Sequence, residues 1–303
     1  MKILVTGVGG QLGHDVMNEL IKRGHTGIGS DIAPVYSGIA DSSPVTTADY
    51  IPMDITDKQS VTQIITDIKP DAVIHCAAWT AVDAAEDEDN KAKVALINSE
   101  GTRNIANACK DIDAKMIYIS TDYVFDGQGT TPWEPDCKDY APLNVYGKTK
   151  LDGELAVSEI LEKYFIVRIA WVFGLNGKNF IKTMLNVGKT HPEVRVVNDQ
   201  IGTPTYTLDL SRLLIDMIES DKYGYYHATN EGGYISWYDF TCEIYKQAGL
   251  STKVTPVSTA EYGLSKAARP FNSRLDKRKL TENGFTPLPV WQDAVKRYLQ
   301  EIK

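Results

Sequence analysis

Tyr146 and Lys150 stand four residues apart in Tyr146-Gly147-Lys148-Thr149-Lys150, on one face of a helix. A free tyrosine titrates near ~10 and a lysine near ~10.4. An ammonium one turn away stabilises the phenolate, so the pair suits proton transfer at a substrate oxygen. Alone, this spacing describes many solvated helices, and only its setting gives it chemistry. Gly7-Val8-Gly9-Gly10-Gln11-Leu12-Gly13 follows an apolar strand directly and opens a helix. Gly7, Gly10 and Gly13 allow a tight turn, close backbone approach to a pyrophosphate and close helix–strand packing. Gln11 and Leu12 sit at the helix N-terminus, where free N–H groups and the positive dipole end attract phosphate.

Further candidates lie where strands end. Asp31 closes the second strand at the distance where an acid accepts hydrogen bonds from a ribose 2′-hydroxyl and repels a 2′-phosphate. That favours NADH and leaves NADPH open. Asp54-Ile55 ends the third strand, an acid for the adenine amino group beside an apolar cover for the ring; a helix-capping role for Asp54 competes, with Asp57 an equal cap candidate. Cys76-Ala77-Ala78, with Trp79 next, ends the fourth, and small residues there let the backbone approach a cofactor. Thr121, in Ser120-Thr121-Asp122-Tyr123, ends the fifth and presents a hydroxyl beside Tyr146.

The elements that must position these residues alternate. Strands are expected at 3–5, 26–31, 50–54, 72–76 and 115–120, with helices from Leu12, over 58–68 and over about 91–110. A helix over 144–163 leads into a strand at 165–172. Beyond it the periodicity predicts helices at 206–218, 238–248 and 289–302, and strands at 194–197 and 225–228. Continuous apolar strands alternating with helices indicate an α/β fold, a doubly wound parallel sheet covered on both faces. Pro- and Gly-bearing stretches near 174–178 and 199–204 mark crossings into a smaller α/β lobe. The expected division is a dinucleotide-binding domain over 1–173 and a mainly substrate-binding lobe over 174–303, with segments able to cross back.

Composition bounds the function. The chain has 303 residues, 43% hydrophobic and 24% charged, as soluble globular proteins do. A net charge of −8 without a basic patch argues against nucleic acid. No stretch approaches the roughly 18 apolar residues of a membrane span. The N-terminus has no leader-like segment, and the four cysteines lack paired spacing, so a cytoplasmic protein without zinc or disulfides is expected. None of the five histidines forms an H-x-x-x-H pair.

The opening glycine pattern, strand-end Thr121 and the Tyr146/Lys150 pair resemble the extended short-chain dehydrogenase/reductases. Longer stretches narrow this: Gly10–Gly13, Ala78–Asp83, Ser120–Gly127, Pro142–Gly147 and Asn198–Thr205, with a weaker match at Arg269–Ser273, are similar to the dTDP-4-dehydrorhamnose reductases. The resemblance implies NAD(P)H-dependent reduction of the 4-keto group of dTDP-4-dehydro-β-L-rhamnose to dTDP-L-rhamnose, a step toward cell-surface polysaccharide. It implies Tyr146 as proton donor. Lys150 would lower the Tyr146 pKa and hold the nicotinamide ribose. Thr121 would sit at the keto oxygen, and Thr121, Asp122 and Trp171 against the sugar. Some members dimerise through a magnesium ion on three acids. Two fall here on Asp15 and Glu301 but the third on Leu208, which offers a hard cation no oxygen. No metal and a monomer or weak homodimer are therefore expected. Two alternatives share the scaffold: a nucleotide-sugar epimerase or dehydratase with tightly bound NAD, and a non-enzymatic dinucleotide-binding regulatory subunit like that of methionine adenosyltransferase. Chemistry alone supplies no reason for Asn198-Asp199-Gln200.

Overall fold

The computed structural model describes residues 1–303. Strand β1 (Lys2–Thr6) carries Ile3, Leu4 and Val5 into the interior with no exposed surface. Helix α1 (Gln11–Lys22) follows and buries Val16, Met17 and Leu20. The alternation continues through β2 (Thr26–Asp31), β3 (Asp49–Pro52), α2 (Lys58–Ile68) and β4 (Ala72–His75). Asp57 caps α2, accepting the Ser60 N–H, and Lys69 in the left-handed region ends it before Pro70. Helix α3 (Glu88–Ala95) passes through a π-helical turn over Leu96–Gly101 into α4 (Thr102–Asp111), where one regular helix was expected. A π turn carries one extra residue, which periodicity alone does not show. Then come β5 (Lys115–Thr121), α5 (Val145–Ile160) and β6 (Tyr164–Ile169).

These six strands and a later one, β11 (Gly224–His227), form one parallel sheet of seven, in the order β11-β6-β5-β4-β1-β2-β3. Order reverses between β1 and β4, so a crevice opens at their carboxyl ends, where open α/β sheets bind ligands. One face packs on α2, α4 and α5 through Val61, Ile65, Ile105, Cys109 and Val157. The other packs on α1 and a helix from far along the chain.

That helix is part of the second half. Past β6 the chain forms β7 (Val172–Phe173), α6 (Phe180–Thr190), β8 (Glu193–Val197), β9 (Ile201–Gly202) and β10 (Thr205–Tyr206). The strand expected over 165–172 is interrupted, because Trp171 takes φ +52° between β6 and β7. Helix α7 (Thr207–Ile218) then returns to α1, and β11 (Gly224–His227) joins β6 as the sheet's edge strand. Strand β12 (Ile235–Ser236), α8 (Trp237–Ala248), β13 (Lys253–Val257), α9 (Thr259–Tyr262), α10 (Arg278–Glu282) and α11 (Trp291–Glu301) complete the chain. Phe173, Tyr206, Phe240, Tyr245, Trp291 and Tyr298 build a separate aromatic core between α6, α8 and α11. No helix is long and apolar enough to cross a membrane.

Candidate active site

The residues that read as chemistry converge at the crevice. Gly7 adopts φ +69°, and a Cβ there would lie 2.5 Å from the Ala77 nitrogen. A Cβ on Gly13 would lie 2.3 Å from the Gly7 carbonyl oxygen. Any side chain at either position would push β1, β4 and α1 apart, so the turn presents bare backbone at the start of α1. Every cofactor and substrate candidate except Trp79 lines one cavity of about 640 Å³ that runs from Asp31 past this turn to Trp171.

Trp79 is turned away. Its backbone N–H donates to Asn98 Oδ1 at 2.8 Å and its indole N–H to the Ala81 carbonyl at 3.0 Å, so it braces the loop after β4. Asp31 accepts the Gly9 N–H at 3.0 Å and the Ile32 N–H at 2.8 Å, which fixes its carboxylate at the cavity edge. Because β3 stops at Pro52, Asp54 lies in the following loop and closes a turn on Thr56. The capping role falls to Asp57.

At the other end, Asn144 caps α5 by accepting the Gly147 N–H and starts the helix that carries Tyr146 and Lys150. Thr121 stands beside Tyr146, close enough to favour its phenolate. The depressed Tyr146 pKa expected from Lys150 is absent. Burial disfavours the phenolate and drives the pKa upward, Asp122 adds to it, and only Thr121 opposes. Lys150 instead donates to the Ile119 carbonyl at 2.7 Å and stands 4.1 Å over the Tyr118 ring. Burial pulls its own pKa down to about 7, against support from Glu154 and Cys76. Burial pushes Asp122 up to about 6, with the nearby Ser273 and Thr121 opposing. Thr121 donates to one Asp122 oxygen at 3.1 Å. The second oxygen has no partner, nor does the Ser30 or Ser120 hydroxyl, and all three residues line the cavity. Unpartnered buried polar atoms around an apolar-walled cleft fit a polar ligand.

Trp171 stacks on Trp237 with centroids 3.8 Å apart, and Gly202 leaves room for the ring, since a Cβ there would come within 3.0 Å. Trp237 opens α8 and had no local signal. Nor did the contacts that tie the second half of the chain over the site. Arg269 grips Asp83 with two bonds of 3.0 and 2.7 Å, and Asp83 also takes the Lys266 and Ala267 N–H groups. Asn144 donates to the Ala268 carbonyl, and Glu86 accepts the Val145 N–H. The start of the tyrosine helix is thus held from both sides. Asn198-Asp199-Gln200 gains a reason: Asp199 takes the Thr259 N–H and hydroxyl, and Gln200 donates to the same hydroxyl, pinning the segment that leads to Arg269.

Asp15 is buried beneath Thr207, whose hydroxyl donates to it at 2.5 Å, and burial pushes its pKa up to about 7. Glu301 accepts from the Tyr206 hydroxyl at 2.5 Å. Leu208 packs on the second core, and no three metal-ligating side chains converge anywhere.

The dinucleotide-type cleft and tyrosine helix agree with comparisons to known proteins. A family model described as the RmlD substrate binding domain matches residues 1–303. The spore coat polysaccharide biosynthesis protein SpsK of Bacillus subtilis is 40% identical over 300 residues, covering 99% of this chain and 97% of the relative. The dTDP-4-dehydrorhamnose reductase of Clostridium acetobutylicum superposes with a TM-score of 0.89 at 39% identity, over 100% of this chain and 99% of that one. That of Bacillus anthracis, solved in complex with NADP, gives 0.85 at 37%, over 100% and 99%.

Proposed function

The chain belongs to the RmlD substrate binding domain family, and on that premise we propose that it reduces the 4-keto group of dTDP-4-dehydro-β-L-rhamnose to dTDP-L-rhamnose. The observation that carries this reading is that Tyr146, Thr121 and Lys150 line the same cavity as the bare glycine turn at the N-terminus of α1. The glycine turn, Asp31 and the loop residues that follow β3 and β4, Asp54, Ile55, Cys76, Ala77 and Ala78, fit a nicotinamide dinucleotide. When bound, that group supplies the hydride that reduces the carbonyl. Everything else falls to the protein.

Reduction leaves negative charge on the former keto oxygen, so the site needs a proton donor rather than a base. A phenol whose pKa is raised by burial stays protonated at neutral pH, and Tyr146 hands its proton to that oxygen. Thr121 orients the phenol. Lys150 holds the ribose hydroxyls and supplies positive charge near the developing oxyanion. Asp122 and Trp171 face the sugar, Asp122 with its unpartnered oxygen. Asp31 favours NADH by accepting from a 2′-hydroxyl and repelling a 2′-phosphate. In this reading the first 173 residues carry the dinucleotide, the remainder mainly the sugar nucleotide, and the protein acts in the cytoplasm as a monomer or weak homodimer without a metal.

The test is initial-rate oxidation of NADH and of NADPH with dTDP-4-dehydro-β-L-rhamnose generated in situ by the upstream enzymes. Rapid turnover to one equivalent of dTDP-L-rhamnose, faster with NADH, is expected. Protein that carries one equivalent of NAD through purification and turns over neither reduced cofactor would point to an epimerase or dehydratase instead.

A further inference from the structure

We propose that Lys178 binds a diphosphate at the mouth of this cavity; the proposal rests on the function inferred above. The cavity has five charged lining residues: Asp31, Asp54, Asp122, Lys150 and Lys178. Lys150 is buried, and its ammonium is engaged by the Ile119 carbonyl and the Tyr118 ring. The remaining fixed charge is three carboxyl groups, in a chain of net charge −8. A diphosphate entering such a cleft needs a cation, and the N–H groups of α1 supply only partial charge. Lys178 is the exposed lining residue able to supply a full one.

Its loop is built to hold it there. Asn176 donates to the Gly9 carbonyl at 2.7 Å. The Gln11 side-chain oxygen accepts from the Gly174 N–H at 2.9 Å and from Asn179 at 3.0 Å. Lys182 caps the Leu175 and Gly177 carbonyls. Residues 174–179 are thereby fastened to the glycine turn, and Gly177 lies against the Gln11 side chain. Both asparagine side chains of this stretch are paired within the protein, whereas the Lys178 ammonium makes no hydrogen bond or ion pair. Two residues on from Lys178, Phe180 packs on Trp237 with ring centroids 4.5 Å apart, and Trp237 stacks on Trp171 at the sugar end. Lys178 therefore stands between the two ends of the cleft, within reach of either diphosphate that the reaction brings: the dinucleotide's or the sugar nucleotide's.

The experiment measures dissociation constants of NADH and of dTDP, by calorimetry, for the wild type, Lys178→Met and Lys178→Arg. One charge-assisted contact at a half-open site corresponds to about tenfold in affinity. Lys178→Met is expected to weaken NADH, dTDP or both by about tenfold at 0.05 M salt, and Lys178→Arg to retain most of the affinity. The gap should shrink at 1 M salt, where charges are screened within about 3 Å. A loss confined to NADH assigns the cofactor's diphosphate, and one confined to dTDP the substrate's. Constants within twofold of wild type for both ligands would overturn the proposal and leave the reductase reading intact. Wild-type protein that binds neither ligand would overturn the reductase reading itself. Lys178 has no partner to lose, so apo melting temperatures should be unchanged.

Discussion

Glu154→Gln should damage the protein in two separable ways. Glu154 lies one turn beyond Lys150 on α5 and is fully buried. It receives Arg168 through two bonds of 2.8 and 2.7 Å, and Arg168 is equally buried among Phe125, Tyr140 and Tyr225. Its other donors reach the Pro135 carbonyl and the Tyr140 hydroxyl. Removing one partner of such a pair costs about 3–5 kcal/mol, because the remaining charge is buried without compensation. Glutamine keeps one acceptor, so the lower end, about 3 kcal/mol, is expected. A fold of ordinary stability, about 5–15 kcal/mol, survives that loss. The second effect is on Lys150. Glu154 is the largest support for its ammonium against burial. Without it the Lys150 pKa drops below about 7, and any step that needs the ammonium fails at lower pH. Urea denaturation at pH 7 reads the first effect, and the alkaline limb of the kcat/KM profile reads the second. Replacing the pair together, Glu154→Leu with Arg168→Met, should recover most of the stability but not the pH limb. A loss under about 1 kcal/mol in the single variant with an unmoved limb would refute the reasoning for both roles.

Three further outcomes follow from the site. Tyr146→Phe should lower kcat at least ~10²-fold, the usual worth of a positioned acid, with NADH affinity by titration near wild type. Asp31→Ala should raise the NADPH/NADH ratio of kcat/KM about fivefold, the factor that ~1 kcal/mol of like-charge repulsion at 4 Å represents. An unchanged ratio would remove Asp31 from cofactor choice. Arg269→Ala should cost under about 1 kcal/mol in stability, because its pair with Asp83 is partly exposed. It should nevertheless lower kcat about tenfold by loosening the start of α5, with partial rescue in Arg269→Lys.

What could be read from the sequence was local. The glycine turn, the strand-end acids and the Tyr146/Lys150 pair each sit within a few residues of the strand or helix that aims them, so spacing carries the information. Contacts between distant segments were not legible. Arg269 and Asp83 are 186 positions apart. Thr207–His227 looks like more of the second lobe by periodicity, yet α7 and β11 return to the main sheet because their apolar faces match α1 and β6. Trp79 shares a motif with Ala77 and Ala78 but points away, since its indole N–H finds the Ala81 carbonyl two residues on. The sign at Tyr146 was also missed. Spacing shows that a lysine is near, but only burial shows that desolvation outweighs it.

Where the hydride goes decides whether this protein is a reductase. The direct measurement is mass spectrometry of the product formed from dTDP-4-dehydro-β-L-rhamnose and NADH deuterated at the transferable position of C4. One deuterium in each dTDP-L-rhamnose, on the former keto carbon and matched by one NADH consumed, is the predicted result. Sugar released without label, with the NADH unspent, would contradict it.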